Sequence, residues 1–132
     1  MNFVSVRIIT ADIKRLVSFY EKVTNLPAAW ANEDFAEIAT PAGTLAIGST
    51  RTLQLFGGGD TRPAANHSAI LEFLVDDVDA DYERLREILD DVVQEPKTLP
   101  WGNRSLMFRD PDGALVNLFT PVSAEAVKKF RR

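Results

Sequence analysis

The chain has no cysteine and only one histidine, His67, among its 132 residues. The missing thiols exclude disulfides, cysteine-ligated metal and thiol catalysis. A basic excess is also missing. The formal net charge is -4 and the pI is near 5.0, which argues against nucleic-acid binding and its basic footprint. An acidic surface modestly favours a cationic ligand, though plain solubility is the simpler reading. No run approaches the ~20 apolar residues of a membrane span, so no membrane partner is expected. Met1-Asn2-Phe3 does not open a signal peptide, and a cytoplasmic protein is the default expectation. Gly57-Gly58-Gly59 lacks the Lys and Ser/Thr of a phosphate loop and reads as flexible chain.

What is present is enough for one domain with a real core. The segment Phe108 to Leu118 is the most specific. An apolar run enters Asp110-Pro111-Asp112-Gly113, and a second apolar run leaves it. Pro presets φ, Gly accepts positive φ and Asp bonds nearby backbone, so the segment reads as a β-hairpin with a longer loop. Asn117 sits amid apolar neighbours on the outgoing strand, where an inward polar group needs a purpose or a partner. Asp110 and Asp112 read as turn residues rather than as a catalytic carboxylate pair.

Upstream, Phe3 to Thr10 reads as a strand. Ile13, Leu16, Val17 and Tyr20 then fall on one face of a helix over residues 12–23, which Thr10 or Asp12 can cap and Asn25 and Pro27 end. Strands follow at 28–31, 35–40 and 44–48. The second half repeats the plan: a strand at 68–75, a helix at 77–89 with Val78, Tyr82, Leu85 and Leu89 on one face, and strands near 92–95, 104–108 and 114–120. Residues 124–130 read as a short basic helix or a frayed tail. Asp12-Ile13 matches Asp77-Val78, 65 residues further on. Module one covers 1–49, a linker 50–67, module two 68–122 and a tail 123–132. The fold class expected is α+β, with two repeated modules whose curved mixed sheets surround a shared concave groove.

Ile9-Thr10-Ala11-Asp12-Ile13 leading to Ser18-Phe19-Tyr20-Glu21 resembles the first module of the vicinal oxygen chelate superfamily. That superfamily holds glyoxalase I, extradiol dioxygenases, fosfomycin-resistance enzymes and bleomycin-resistance proteins. Val75-Asp76-Asp77-Val78-Asp79-Ala80 and Phe108 to Asn117 resemble its second module. Pro100-Trp101-Gly102-Asn103-Arg104 is similar to its bleomycin-resistance-like, metal-free branch. The resemblance implies paired βαβββ modules assembled as a homodimer.

It also implies four metal-ligand positions, two per module, which fall at Ser5, near Ala46, at Ile70 and at Asn117. Ala and Ile cannot bind a metal, and neutral Ser and Asn are poor ligands without a charged companion. Glu72 lies two residues along its strand from Ile70 and can face the same side. His67, just before that strand, is either a lone ligand or general base, or a solvated or capping residue. Position alone supports no Ser/His/acid triad.

Aromatic side chains remain as ligand contacts by stacking and cation–π interaction. Trp30 and Trp101 lie beside turns, where an indole is hard to bury fully. Phe56, Phe35, Phe108 and Phe119 would line the groove or fill the core. Arg104 either recognises an anion or faces solvent. The ligand-binding set expected is therefore Trp30, Phe56, Trp101, Arg104 and Asn117, with no catalytic residue. The function expected is metal-free sequestration of a small, partly aromatic molecule, a drug or metabolite, for which the charge allows a cation. The alternative is a divalent-metal-dependent lyase or dioxygenase holding Zn, Ni, Mn or Fe through non-standard ligands drawn from Glu72, Asn117, Gln54 and His67. A regulatory or purely structural homodimer is a third reading.

Overall fold

A computed structural model describes residues 1–131. The chain divides after Asn66 into two compact units, and each repeats one plan. The first holds β1 (Ser5–Thr10), α1 (Ile13–Thr24), β2 (Ala29–Asn32), β3 (Phe35–Ala39) and β4 (Thr44–Ser49). Its sheet order is β1-β4-β3-β2, with β1 parallel to β4 and the other pairs antiparallel. The second holds β5 (Ile70–Leu74), α2 (Val78–Leu85), β6 (Val92–Thr98), β7 (Asn103–Arg109), β8 (Leu115–Pro121) and a C-terminal α3 (Ala124–Phe130). Its order, β5-β8-β7-β6, reproduces the first, again with one parallel pair. Both sheets are mixed, the fold is α+β, and the two-module repeat read from the sequence is the repeat seen.

The capping chemistry explains where the helices begin. Asp12 Oδ1 accepts from Arg15 N at 3.2 Å, Asp77 Oδ1 from Ala80 N at 3.1 Å, and Ser123 Oγ from Ala126 N at 3.1 Å. Asn25 ends α1 in the left-handed region, at φ 57. Each unit buries one sheet face under its helix. In the first unit Ala36, Ile38, Leu45 and Ile47 are buried with Leu16, Val17 and Tyr20 of α1. In the second, Leu106, Phe108, Val116 and Leu118 are buried with Val78 and Leu85 of α2. The hairpin before β8 is built as its turn residues require. Asp110 Oδ1 accepts from Asp112 N at 2.8 Å and Ala114 N at 3.0 Å, and Gly113 has φ +87.

Two expectations need correction. The helix over 77–89 stops at Leu85, where the chain tightens into a turn with Ile88 N donating to the Leu85 carbonyl three residues back. Leu89 stays buried, which is why its periodicity looked helical. The strand near 92–95 runs on to Thr98 through Pro96, which an edge strand with bulges tolerates. The first part of the segment read as a linker, Thr50–Leu55, forms a 3-10 helix, with Ser49 Oγ accepting from Arg51 N at 3.2 Å. The tail beyond it closes as the helix α3, and its last residue, Arg132, lies outside the described residues.

Candidate functional site

Strand alternation divides the second sheet into two faces. Leu71, Phe73, Leu106, Phe108, Val116 and Leu118 share the face packed by α2. The other face carries Glu72, Asn117 and Met107 in one cross-strand row, with Leu74, Phe119 and Ser105 in the next. Asn103 stands two residues further along β7, opposite Pro121. Gln94 is opposite Met107 and donates through Nε2 to the Ser105 carbonyl at 3.2 Å.

The central contact on this face joins Asn117 to Glu72. Asn117 Nδ2 donates to Glu72 Oε2 at 2.9 Å. A carboxylate only accepts, so the bond fixes which way the amide points. It leaves Asn117 Oδ1 buried with no hydrogen-bond partner, and the residue as a whole is 6% exposed. Asn103 Oδ1 and Ser105 Oγ are in the same condition. Three of the four buried side-chain atoms without a partner among the described residues therefore lie on this one face. Each costs ~1–3 kcal/mol while unpaired, and such atoms are uncommon in folded proteins. Beside them Glu72 is exposed and negative. The arrangement offers acceptors and a negative charge, which suit a hydrogen-bond donor or a cation.

The equivalent face of the first sheet has a different chemistry. Arg7 stands 65 residues before Glu72, at the matching position of β1, and its cross-strand row is Arg7, Ala46 and Glu37. The Arg7 guanidinium lies 5.6 Å from the Phe35 ring centroid and 5.5 Å from that of Phe56. One repeat thus places a cation where the other places a carboxylate.

The residues expected at the metal positions can now be judged as a donor set. Ser5 begins β1, Ala46 is buried on β4, Ile70 begins β5 and Asn117 is on β8. Glu72 and Asn117 are register partners and bring one carboxylate beside one amide, whereas Ser5 faces only the hydroxyl residue Thr44. His67 is exposed ahead of β5, and Gln54 is exposed in the 3-10 helix. Among the described residues there is no group of three His, Cys, Asp or Glu arranged to hold a metal. A catalytic divalent metal takes about three protein ligands, and one carboxylate with one neutral amide does not fit it.

Within each unit the expected ligand contacts fall on different sheet faces. Trp30 is opposite Ala36, so it lies on the α1 side of its sheet, away from Arg7 and Phe56. Arg104 alternates with Asn103 and Ser105 and points to the α2 side. There its Nε and Nη2 contact Asp79 Oδ2 and Oδ1 at 2.7 and 3.0 Å. This bidentate contact holds the Asp79 carboxyl below its usual value and raises Arg104. Trp101 is 65% exposed in the turn between β6 and β7. That turn is tied to the C-terminal segment, with the Gly102 carbonyl accepting from Val122 N at 2.8 Å and Ser123 N at 3.1 Å.

Two members of this face were missed in the sequence. Ser105 was not singled out, and Asn103 entered only within Pro100-Trp101-Gly102-Asn103-Arg104. Their signal is the one that singled out Asn117, a polar residue at an inward position, but it needs the β7–β8 register to be read.

The comparisons with known proteins agree with this architecture. A family model described as the Glyoxalase/Bleomycin resistance protein/Dioxygenase superfamily matches residues 2–118. The chain is 27% identical over 125 residues to the uncharacterised protein YraH of Bacillus subtilis (strain 168), covering 90% of this chain and 98% of that relative. Two solved structures share the fold. One is a glyoxalase/bleomycin resistance protein/dioxygenase family enzyme from Burkholderia phytofirmans PsJN, with TM-score 0.81, 16% identity and coverage of 92% of this chain and 100% of that one. The other is a glyoxalase-related enzyme from Fulvimarina pelagi, with TM-score 0.77, 18% identity and coverage of 93% of each chain. Repeat, sheet order and family match converge: the chain belongs to the glyoxalase/bleomycin resistance protein/dioxygenase superfamily.

Proposed function

We propose that this chain is a metal-free binding protein for a small molecule that carries an aromatic ring and a protonated amine. The observation that carries the reading is the Glu72–Asn117 bond, which leaves Asn117 Oδ1 buried and unpaired beside an exposed carboxylate on the sheet face opposite α2. A ligand ammonium or N–H would bond Asn117 Oδ1 and Ser105 Oγ and lie against the Glu72 carboxylate. Charge-assisted bonds of this kind contribute roughly twice what neutral ones do. Met107, half-buried in the same cross-strand row, offers a polarisable side chain to the ring. The residues do no covalent chemistry in this reading. They bind and orient, and binding removes the molecule from solution. That is the sequestration which the likeness to bleomycin-resistance proteins implies.

The donor set supports the metal-free half of the proposal, since the carried-over positions hold Ser5, Ala46, Ile70 and Asn117. Elemental analysis of protein purified without chelator tests it. Metal well below one equivalent, and equal in wild type and Glu72→Ala, is expected. One equivalent of Zn, Ni, Mn or Fe that disappears in Glu72→Ala would instead support the lyase or dioxygenase reading.

A homodimer is the working form we infer. Val6 on edge strand β1 and Ile70 and Leu74 on edge strand β5 are each more than a third exposed. Apolar side chains on open strand edges favour association. Light scattering coupled to size-exclusion chromatography would show twice the 14.7 kDa chain mass. A monomer at micromolar concentration would contradict it.

A further inference from the structure

A recess lies between the β6–β7 turn and α3, with a volume of about 240 Å³, lined by Trp101, Asn103, Glu125, Ala126, Lys129 and Phe130. Its chemistry differs from that around Glu72. Glu125 and Lys129 are four residues apart, so they are neighbours on one helix face and suited to an ion pair. Among the described residues neither takes part in one. Lys129 Nζ instead lies 5.2 Å from the Phe130 ring centroid. Among the described residues the recess therefore has an anion and a cation with no ion-pair partner. It also has a buried amide oxygen, Asn103 Oδ1, with no partner, and an exposed indole as one wall.

We propose that this recess binds a small zwitterion of the α-amino-acid type with an apolar side chain. Its ammonium would bond Glu125 and Asn103 Oδ1, its carboxylate would bond Lys129, and its side chain would lie on the Trp101 ring. The spacing suits such a molecule, because Cβ atoms four residues apart on a helix are ~5–6 Å apart. An amino-acid head group placed between the two side chains can reach both. The volume agrees, since 240 Å³ equals about eight waters in the liquid. The walls are also fixed in place. The Gly102 carbonyl anchors the turn to residues 122 and 123, and the Phe130 ring packs edge-on against Phe119 at 5.1 Å. This site adjoins the Glu72–Asn117 face through Asn103 and Phe119 but uses neither Glu72 nor Asn117.

The test is a fluorescence titration in a Trp30→Phe background, so that Trp101 is the only reporter. The probes are L-leucine, L-leucine methyl ester and N-acetyl-L-leucine, which are zwitterion, cation and anion respectively. Saturable binding of L-leucine is expected, with both singly charged probes weaker by about tenfold or more. Glu125→Gln and Lys129→Met should each weaken L-leucine by a similar factor and bring its affinity down to that of one singly charged probe. Glu72→Ala should leave the L-leucine curve unchanged, which separates this site from the one proposed above. No saturable change with L-leucine would overturn the proposal. So would equal binding of all three probes, or binding that survives both α3 substitutions.

Discussion

Asn117 Nδ2 donates to Glu72 Oε2 at 2.9 Å across the parallel β5–β8 pair, where the two residues are register partners. Glu72 is exposed and keeps its solvent contact, whereas the amide oxygen of Asn117 is buried and unpaired. The pair is stable in only one orientation, and that orientation presents an acceptor. The consequence is a conflict between stability and binding at position 117.

Asn117→Leu should make that conflict measurable. Leucine has the same number of side-chain heavy atoms, branched at the same carbon, and no polar atom to leave unpaired. Removing an unsatisfied buried acceptor should raise stability by roughly 1 kcal/mol. Binding of ring-bearing amines should fall at the same time. Urea denaturation and a binding titration on the same preparation check both halves. A stability loss of several kcal/mol would show that Asn117 Oδ1 has a partner in solution.

Gly102 and Gly113 form a matched pair for backbone predictions. Both have positive φ, at +92 and +87. A Cβ at Gly113 would meet nothing within 4 Å, but one at Gly102 would run into the Ser123 side chain, 2.7 Å from its Cβ, and lie 3.2 Å from the Ala126 Cβ. Gly113→Ala should cost ~1–2 kcal/mol, the left-handed penalty alone. Gly102→Ala adds overpacking and should cost ~2–4 kcal/mol. Equal costs in chemical denaturation would mean that the turn can leave α3 without penalty.

Arg104 and Asp79 predict an acid dependence. The guanidinium lowers the Asp79 carboxyl from its ordinary 3.8. A depressed folded value contributes stability that is present above the unfolded pKa and is lost as pH falls through the folded one. Arg104→Ala should therefore melt below wild type at neutral pH, and the gap should narrow as pH drops below about 4. The gap should be small because the pair is largely solvent-exposed. Affinity for ring-bearing amines should not change, because Arg104 points to the α2 side. A lost affinity with an unaltered acid profile would put Arg104 on the binding face.

The fold was largely legible because its signals are local. Asp12, Asp77 and Ser123 mark helix starts, Asp110-Pro111-Asp112-Gly113 marks a hairpin, and the spacing of Leu16, Val17 and Tyr20 marks a buried helix face. The candidate site was legible only in part. Asn117 stood out because it interrupts an apolar run, and Glu72 followed from strand alternation. Their bond depends on the β5–β8 register across 45 residues, which no local pattern encodes. Trp30 and Arg104 were chosen by residue type and proximity to turns. Which sheet face they occupy depends on pairing with Ala36 and on the ion pair to Asp79, both set by tertiary structure. Leu89 misled for a related reason, because it buries its side chain while its backbone has already left the helix.

The binding reading stands or falls on a thermal-shift titration of wild type and Glu72→Ala with phenethylamine and related ring-bearing amines, carried out in excess chelator. Wild type should show a concentration-dependent rise in Tm that the chelator does not remove, and Glu72→Ala should show little or none. A rise that vanishes with chelator, or one that is equal in both proteins, would contradict metal-free binding through Glu72 and Asn117.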